Sequence, residues 1–164
     1  MSKRILIAYA SKAGSTADTA ARMGETLAKR GMSVDVLPAK KAADVAAYDA
    51  VILGSGITAG KPQPDALKFV EANKAALQGK PFHAFYHCLA LEKDTPEDRK
   101  TVETYKDAVR AVVTPKSDAV FAGVMDPAKL GFMEKMIMKV MKAPIGDFRK
   151  WDEINAWVDG LALN

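Results

Sequence analysis

Residues 11–16, Ser-Lys-Ala-Gly-Ser-Thr, pack three hydroxyls, a lysine and a glycine into one short turn. They follow the apolar run Arg-Ile-Leu-Ile-Ala-Tyr-Ala (4–10) and precede the helical pattern that begins near Ala17. A turn feeding a helix N-terminus presents unpaired backbone N–H groups, and the helix dipole adds partial positive charge there. Gly14 permits a tight backbone turn, Ser11, Ser15 and Thr16 can donate to phosphate oxygens, and Lys12 adds charge. The competing reading is plain capping of the helix by Ser15 or Thr16.

Other chemistry-bearing residues point elsewhere. His83 and His87 share one face of a strand and Cys88 points to the other, so three metal ligands do not converge. Cys88 lacks a setting that would lower its pKa and reads as a core residue. Trp151 and Trp157 read as packing residues of the last helix. The ends of the first and third strands, Tyr9–Ser11 and Gly54–Gly56, carry no carboxylate, which argues against a phospho-acceptor signalling domain. No acid–base dyad is evident, so no side chain is assigned a catalytic role.

The elements that must position the turn alternate between strand and helix. Residues 4–10 and 50–56 are continuous apolar runs, as in strands covered on both faces. Residues 34–37 alternate like an edge strand, and 82–91 and 118–125 supply two more. The first helix shows a stripe of Ala17, Ala20, Ala21, Gly24, Leu27 and Ala28. A second, after Lys-Pro-Gln-Pro-Asp, carries Ala66, Phe69, Val70 and Leu77. A third opens with Thr95 as N-cap and Pro96 at the first helical position, with Val102, Tyr105, Val109, Val112 and Val113 as its stripe. The last, from about Asp152, buries Ile154, Trp157, Val158 and Leu161. Five strands alternating with helices predict a doubly wound parallel sheet. A dinucleotide fold wants Gly-x-Gly-x-x-Gly at the first turn, and this turn has one glycine. The order 2-1-3-4-5 is therefore expected, with its crevice beyond strands one, three and four.

The three segments at that crevice resemble the flavodoxin family. Residues 11–16 are similar to its phosphate loop, with Ala13 standing where a threonine is usual. Residues 48–73 resemble the third strand and first flavin loop, and 87–105 the fourth strand and second flavin loop. The tail from Phe132 to Trp157 is similar to that of the menaquinone-dependent protoporphyrinogen dehydrogenase branch. The resemblance implies a three-layer flavodoxin-like sandwich over residues 1–164, with an inserted helix and loop at 128–149, and FMN as cofactor. It implies contacts from Ser11, Lys12, Ala13, Gly14, Ser15 and Thr16, from Ser55, Gly56, Ile57, Thr58, Ala59 and Gly60, and from Leu89, Ala90 and Leu91. No Trp or Tyr stands in the two ring-flanking loops, which leaves one ring face open to a second reactant. The implied activity is an oxidoreductase of porphyrin biosynthesis, passing electrons from a reduced small molecule through FMN to a quinone. The alternative is a flavodoxin carrying electrons between redox proteins.

Composition bounds the partners. The chain has 164 residues, with 24 basic against 20 acidic side chains and a formal charge of +4. That is too weakly basic to imply nucleic acid. One cysteine excludes an internal disulfide and fits a cytoplasmic setting. There is no secretory pattern at the N-terminus, and no apolar run approaches the ~18 residues that span a bilayer. Segment 128–142 carries four lysines against Glu134, supplying +3 of the net charge. Its apolar positions are Leu130, Met133, Met136, Ile137, Val140 and Met141, with Lys135, Lys139 and Lys142 to one side. Such a helix could touch the inner face of a membrane, meet a partner, or pack its stripe on its own domain.

Overall fold

The computed structural model describes residues 2–164. The first strand, β1 (Arg4–Ala10), runs into α1 (Ser15–Lys29) and returns as β2 (Ser33–Pro38). Next come β3 (Ala50–Thr58), the two-residue β4 (Lys61–Pro62), α2 (Pro64–Ala72) and α3 (Lys74–Gln78). Then follow β5 (Phe82–Cys88), α4 (Pro96–Glu103), α5 (Asp107–Arg110) and β6 (Ser117–Ala122). The chain ends with β7 (Val124–Met125), α6 (Phe132–Val140), β8 (Gly146–Asp147) and α7 (Trp151–Asp159). The main sheet has the order β2-β1-β3-β5-β6, every neighbouring pair parallel. With the small hairpin strand β4 set aside, this is the expected 2-1-3-4-5.

Alternate residues of the central strands feed two cores. On one face Leu6, Ala8, Val51, Leu53, Ala84 and Tyr86 pack against Phe69, Val70 and Leu77 of α2 and α3 and Val102 and Val109 of α4 and α5. On the other, Ile5, Ile7, Ile52 and Phe85 meet Ala20, Met23 and Leu27 of α1 and Ile154 and Val158 of α7. Covering both faces is what makes the central strands apolar throughout. Gly54 is required by this packing: it pairs in register with Phe85, and a Cβ there would lie 2.3 Å from the Phe85 ring. Gly54→Ala is expected to destabilise the fold by about 1–3 kcal/mol, the usual cost of overpacking. A chemical denaturation curve checks this, and an unchanged midpoint would refute it.

Several sequence expectations shift. The α1 stripe is rotated: Thr16, Thr19, Ala20, Met23, Gly24 and Leu27 are buried, while Ala21 and Ala28 are exposed. Alanines mark a helix face poorly, because they are tolerated on either side. The strand expected at 82–91 stops at Cys88, where β6 runs out of partners at Ala122, and Leu89–Leu91 form a tight turn that tucks Leu91 into the core. The run at 118–125 breaks at Gly123, and β7 leaves the sheet to pair antiparallel with β8. The second helix divides at Asn73, and the third divides around a tight turn at Thr104–Lys106. That turn directs Tyr105 toward Gly60 and Lys106 toward Glu103 and Asp118. The cap at Thr95 is as expected, a capping box in which Thr95 and Asp98 bond each other's backbone N–H.

The inserted segment departs most. Only 132–140 is α-helix, and no residue of α6 is buried. Most of its apolar stripe faces outward, with Met133 70% and Val140 81% exposed, so it does not cover the core, while Leu130 and Ile137 turn to the cavity beyond the strand ends.

Candidate functional site

The carboxyl ends of β1, β3 and β5 open into one cavity of about 530 Å³. Its first wall is the turn into α1. Gly14 sits at the N-cap position with φ +93°, a conformation natural to glycine. The Ser11 hydroxyl accepts the Gly14 N–H at 2.8 Å, which closes the turn and leaves its own hydrogen free to donate. The first bond down the helix runs from Asp18 N–H to the Gly14 carbonyl, so the amides of Ser15, Thr16 and Ala17 lie above the ladder. Thr16 is fully buried, lines the cavity, and its Oγ1 has no hydrogen-bond partner. A buried orphan hydroxyl at a helix N-terminus is what an absent anion would satisfy. Capping does not account for it, since no side chain caps α1.

The second wall is the β3–β4 hairpin. Ala59 and Gly60 both have positive φ, as a two-residue hairpin turn needs, and carry Ile57, Thr58 and their own backbone to the cavity rim. Ser55 does not line the cavity. It is fully buried behind it, donating to the Gly56 carbonyl and accepting the Gln63 N–H, so it fixes the base of the hairpin. Gln63, which sequence reasoning passed over, reaches the cavity and donates to Thr58 Oγ1 at 2.9 Å. In the third wall Leu89 and Ala90 line the space, while Leu91 is turned into the core. Tyr105 also lines it, against Gly60, so an aromatic ring is present after all. It escaped notice because it belongs by spacing to a helix stripe.

The floor is His87 and Cys88. The Ala122 carbonyl lies 3.0 Å from His87 Nδ1 and must accept, leaving Nε2 to accept from the Thr19 hydroxyl at 2.8 Å. Burial pushes His87 down from 6.5 to about 4, so the ring is neutral near pH 7. Burial raises the Cys88 thiol, which is therefore no nucleophile. Among the described residues, no group of three His, Cys, Asp or Glu side chains is placed to hold a metal ion.

The fourth wall comes from the insertion: Leu130, Glu134, Ile137 and Met138. Lys12 in the first turn pairs with Glu134 at 2.7 Å, tying α6 to it. The bond from Lys12 is the main cause holding the Glu134 carboxyl below its ordinary range. Lys129 reaches over the same turn, its Nζ 3.7 Å from the Cβ position of Gly14. Arg149, itself held by Asp147 of β8 at 2.8 Å, braces α1 through Asp18 at 2.7 Å. Asp94 pins the third loop to the last helix through Arg99 and Lys150, and the Arg99 bond is the larger reason its carboxyl stays far below the usual range.

A family model described as a flavodoxin domain matches residues 6–150. The chain belongs to the flavodoxin domain family. Among solved structures, a short-chain flavodoxin associated with a non-canonical PDU bacterial microcompartment is 17% identical, with 97% of this chain and 96% of that one covered and a TM-score of 0.60. Oxidised flavodoxin 1 from Bacillus cereus is 16% identical, over 97% and 99% of the two chains, with a TM-score of 0.56. A flavoprotein from Lactobacillus acidophilus NCFM in complex with FMN is 11% identical, over 73% and 93%, with a TM-score of 0.52. At these identities the likeness is one of fold. No curated protein matches the chain. The flavodoxin domain's own residues fit FMN: the orphan Thr16 hydroxyl, the Ser11 and Ser15 hydroxyls and the free α1 amides suit its phosphate, and the cavity between the two loops suits its flat ring.

Proposed function

We propose that this flavodoxin domain is a cytoplasmic electron carrier that exchanges electrons with redox-protein partners. The bound FMN would supply reversible electron transfer at its ring system. Phosphate would be held by Ser11, Ser15, Thr16 and the first amides of α1, and the ring would lie between the Ile57–Gly60 hairpin and Leu89–Ala90, with Tyr105 beside it.

The observation that carries the carrier reading is the state of the acid–base groups in the cavity wall. Both ring nitrogens of His87 are engaged, the Cys88 thiol is held protonated, and Glu134 is paired with Lys12. None is positioned to take protons from a substrate, so electron exchange without substrate chemistry suits this wall best. A second reading is an enzyme that oxidises a small reduced molecule, protoporphyrinogen in the sense of the family branch the tail resembles, with a quinone as acceptor. It is favoured by the apolar fourth wall of Leu130, Ile137 and Met138, which suits a flat apolar guest.

Anaerobic rapid mixing of the reduced, FMN-loaded protein separates the two. A carrier reoxidises faster with a one-electron protein acceptor than with a soluble quinone. Faster reoxidation by the quinone, slowed by Thr58→Trp without loss of FMN, would install the enzyme reading instead. Turnover of a porphyrinogen would identify its substrate.

A further inference from the structure

We propose that α6 docks the molecule on a bilayer surface bearing anionic headgroups. Among the described residues, every exposed large apolar side chain falls between Phe132 and Ile145. Phe132, Met136 and Val140 form an i, i+4, i+8 row, at 75%, 50% and 81% exposure. This row points away from the domain, because Glu134 and Met138, on the opposite side of the helix, are the two partly covered residues of α6. Met133 and Met141 extend the apolar face at 70% and 72% exposure. A concentrated patch of this kind marks an interaction surface.

Charge selects the occupant. Lys135, Lys139 and Lys142 run along one flank of the apolar row, and the single acid of the helix, Glu134, is neutralised by Lys12 on the inner side. The outer face is therefore apolar and cationic. A second copy offers the same cationic face with no acid on it to meet the lysines, whereas anionic headgroups complement them while the Phe and Met side chains enter the acyl boundary. Ile137 belongs both to the exposed apolar set and to the cavity wall, so the docked face is continuous with the mouth of the site. The docking does not depend on which electron acceptor the protein serves.

The test is co-sedimentation of the FMN-loaded chain with vesicles of equal parts phosphatidylcholine and phosphatidylglycerol. Binding is expected at low salt, with release at high salt and none to phosphatidylcholine alone. Each lysine near an anionic surface strengthens binding by roughly fivefold, so Lys135→Glu with Lys139→Glu should weaken it at least about twenty-fivefold. Phe132→Ser with Val140→Ser should lose binding even at low salt while flavin absorbance and thermal unfolding stay unchanged, since neither side chain lines the cavity or supports the core. Failure to sediment with anionic vesicles at low salt, or equal binding to neutral ones, overturns the proposal. So does concentration-dependent dimerisation that Phe132→Ser abolishes, which would assign the face to a second copy.

Discussion

Thr16→Val lowers affinity for FMN by roughly ten- to a hundredfold and leaves the apoprotein as stable as before, or slightly more so. The two halves of this expectation come from one atom. In the apoprotein Thr16 Oγ1 is buried without a partner, so deleting it removes a desolvated group that contributes nothing. In the loaded protein the same hydroxyl would donate to a charged phosphate, as proposed above, a bond worth about 1.5–3 kcal/mol. Valine preserves the shape of the side chain in the packed turn. Affinity is read by flavin fluorescence titration and stability by denaturation of the apoprotein. A variant that loses stability and keeps its affinity would mean that Thr16 is a structural residue, and the phosphate assignment would fall. Riboflavin, lacking the phosphate, should bind the two proteins equally.

The second large effect is on acid stability. The folded pKa of His87, about 4, lies below the 6.5 of the unfolded chain. Between those values the unfolded state binds a proton that the folded state refuses, so protons favour unfolding. The contribution of neutral His87 is complete above pH 6.5, is lost as pH falls toward 4, and amounts to about 3 kcal/mol over that span. His83, also lowered by burial, acts in the same direction. The paired carboxylates Asp118, Glu103 and Asp147 are depressed below their ordinary values and withdraw stability only at lower pH. The upper part of the acid limb therefore belongs to the histidines. Denaturation of the apoprotein across that range should show the slope, and His87→Gln should flatten most of it. An unchanged slope in the variant would refute the assignment to His87.

The parts of the molecule that were legible in the sequence are those where composition records burial on both sides. Ile5–Ala8 and Val51–Leu53 could only be central strands, and their order followed from the glycine-poor first turn. The tight first turn was legible because Gly14 meets its backbone need, with a positive φ at the helix N-cap. Tyr105 was not, because its contact with Gly60 depends on a tightening at Thr104–Lys106 that no glycine or proline announces. Ser55 and Leu91 belong to segments that border the cavity but face away from it, and a loop's sequence does not say which of its side chains turn inward. The α6 stripe was visible as a stripe. Its direction was not, because periodicity fixes the angle between residues and never the orientation of the helix toward its neighbours.

The pairing of β7 with β8 has a consequence for how this chain can be taken apart. Met125 stands opposite Gly146 in that antiparallel ladder, so the segment between them leaves and re-enters the body at adjacent points. Topologically it is a cassette: a two-residue turn could join Met125 to Gly146 and close an ordinary hairpin without moving the parallel sheet, at the loss of the Glu134 partner of Lys12 and of the cavity wall formed by Leu130, Ile137 and Met138. The layered body proposed to hold the cofactor is thus separable from the segment that closes its cavity on the fourth side. Exchanging the cassette would rebuild one wall of the cavity and leave the three walls carried by the parallel sheet in place.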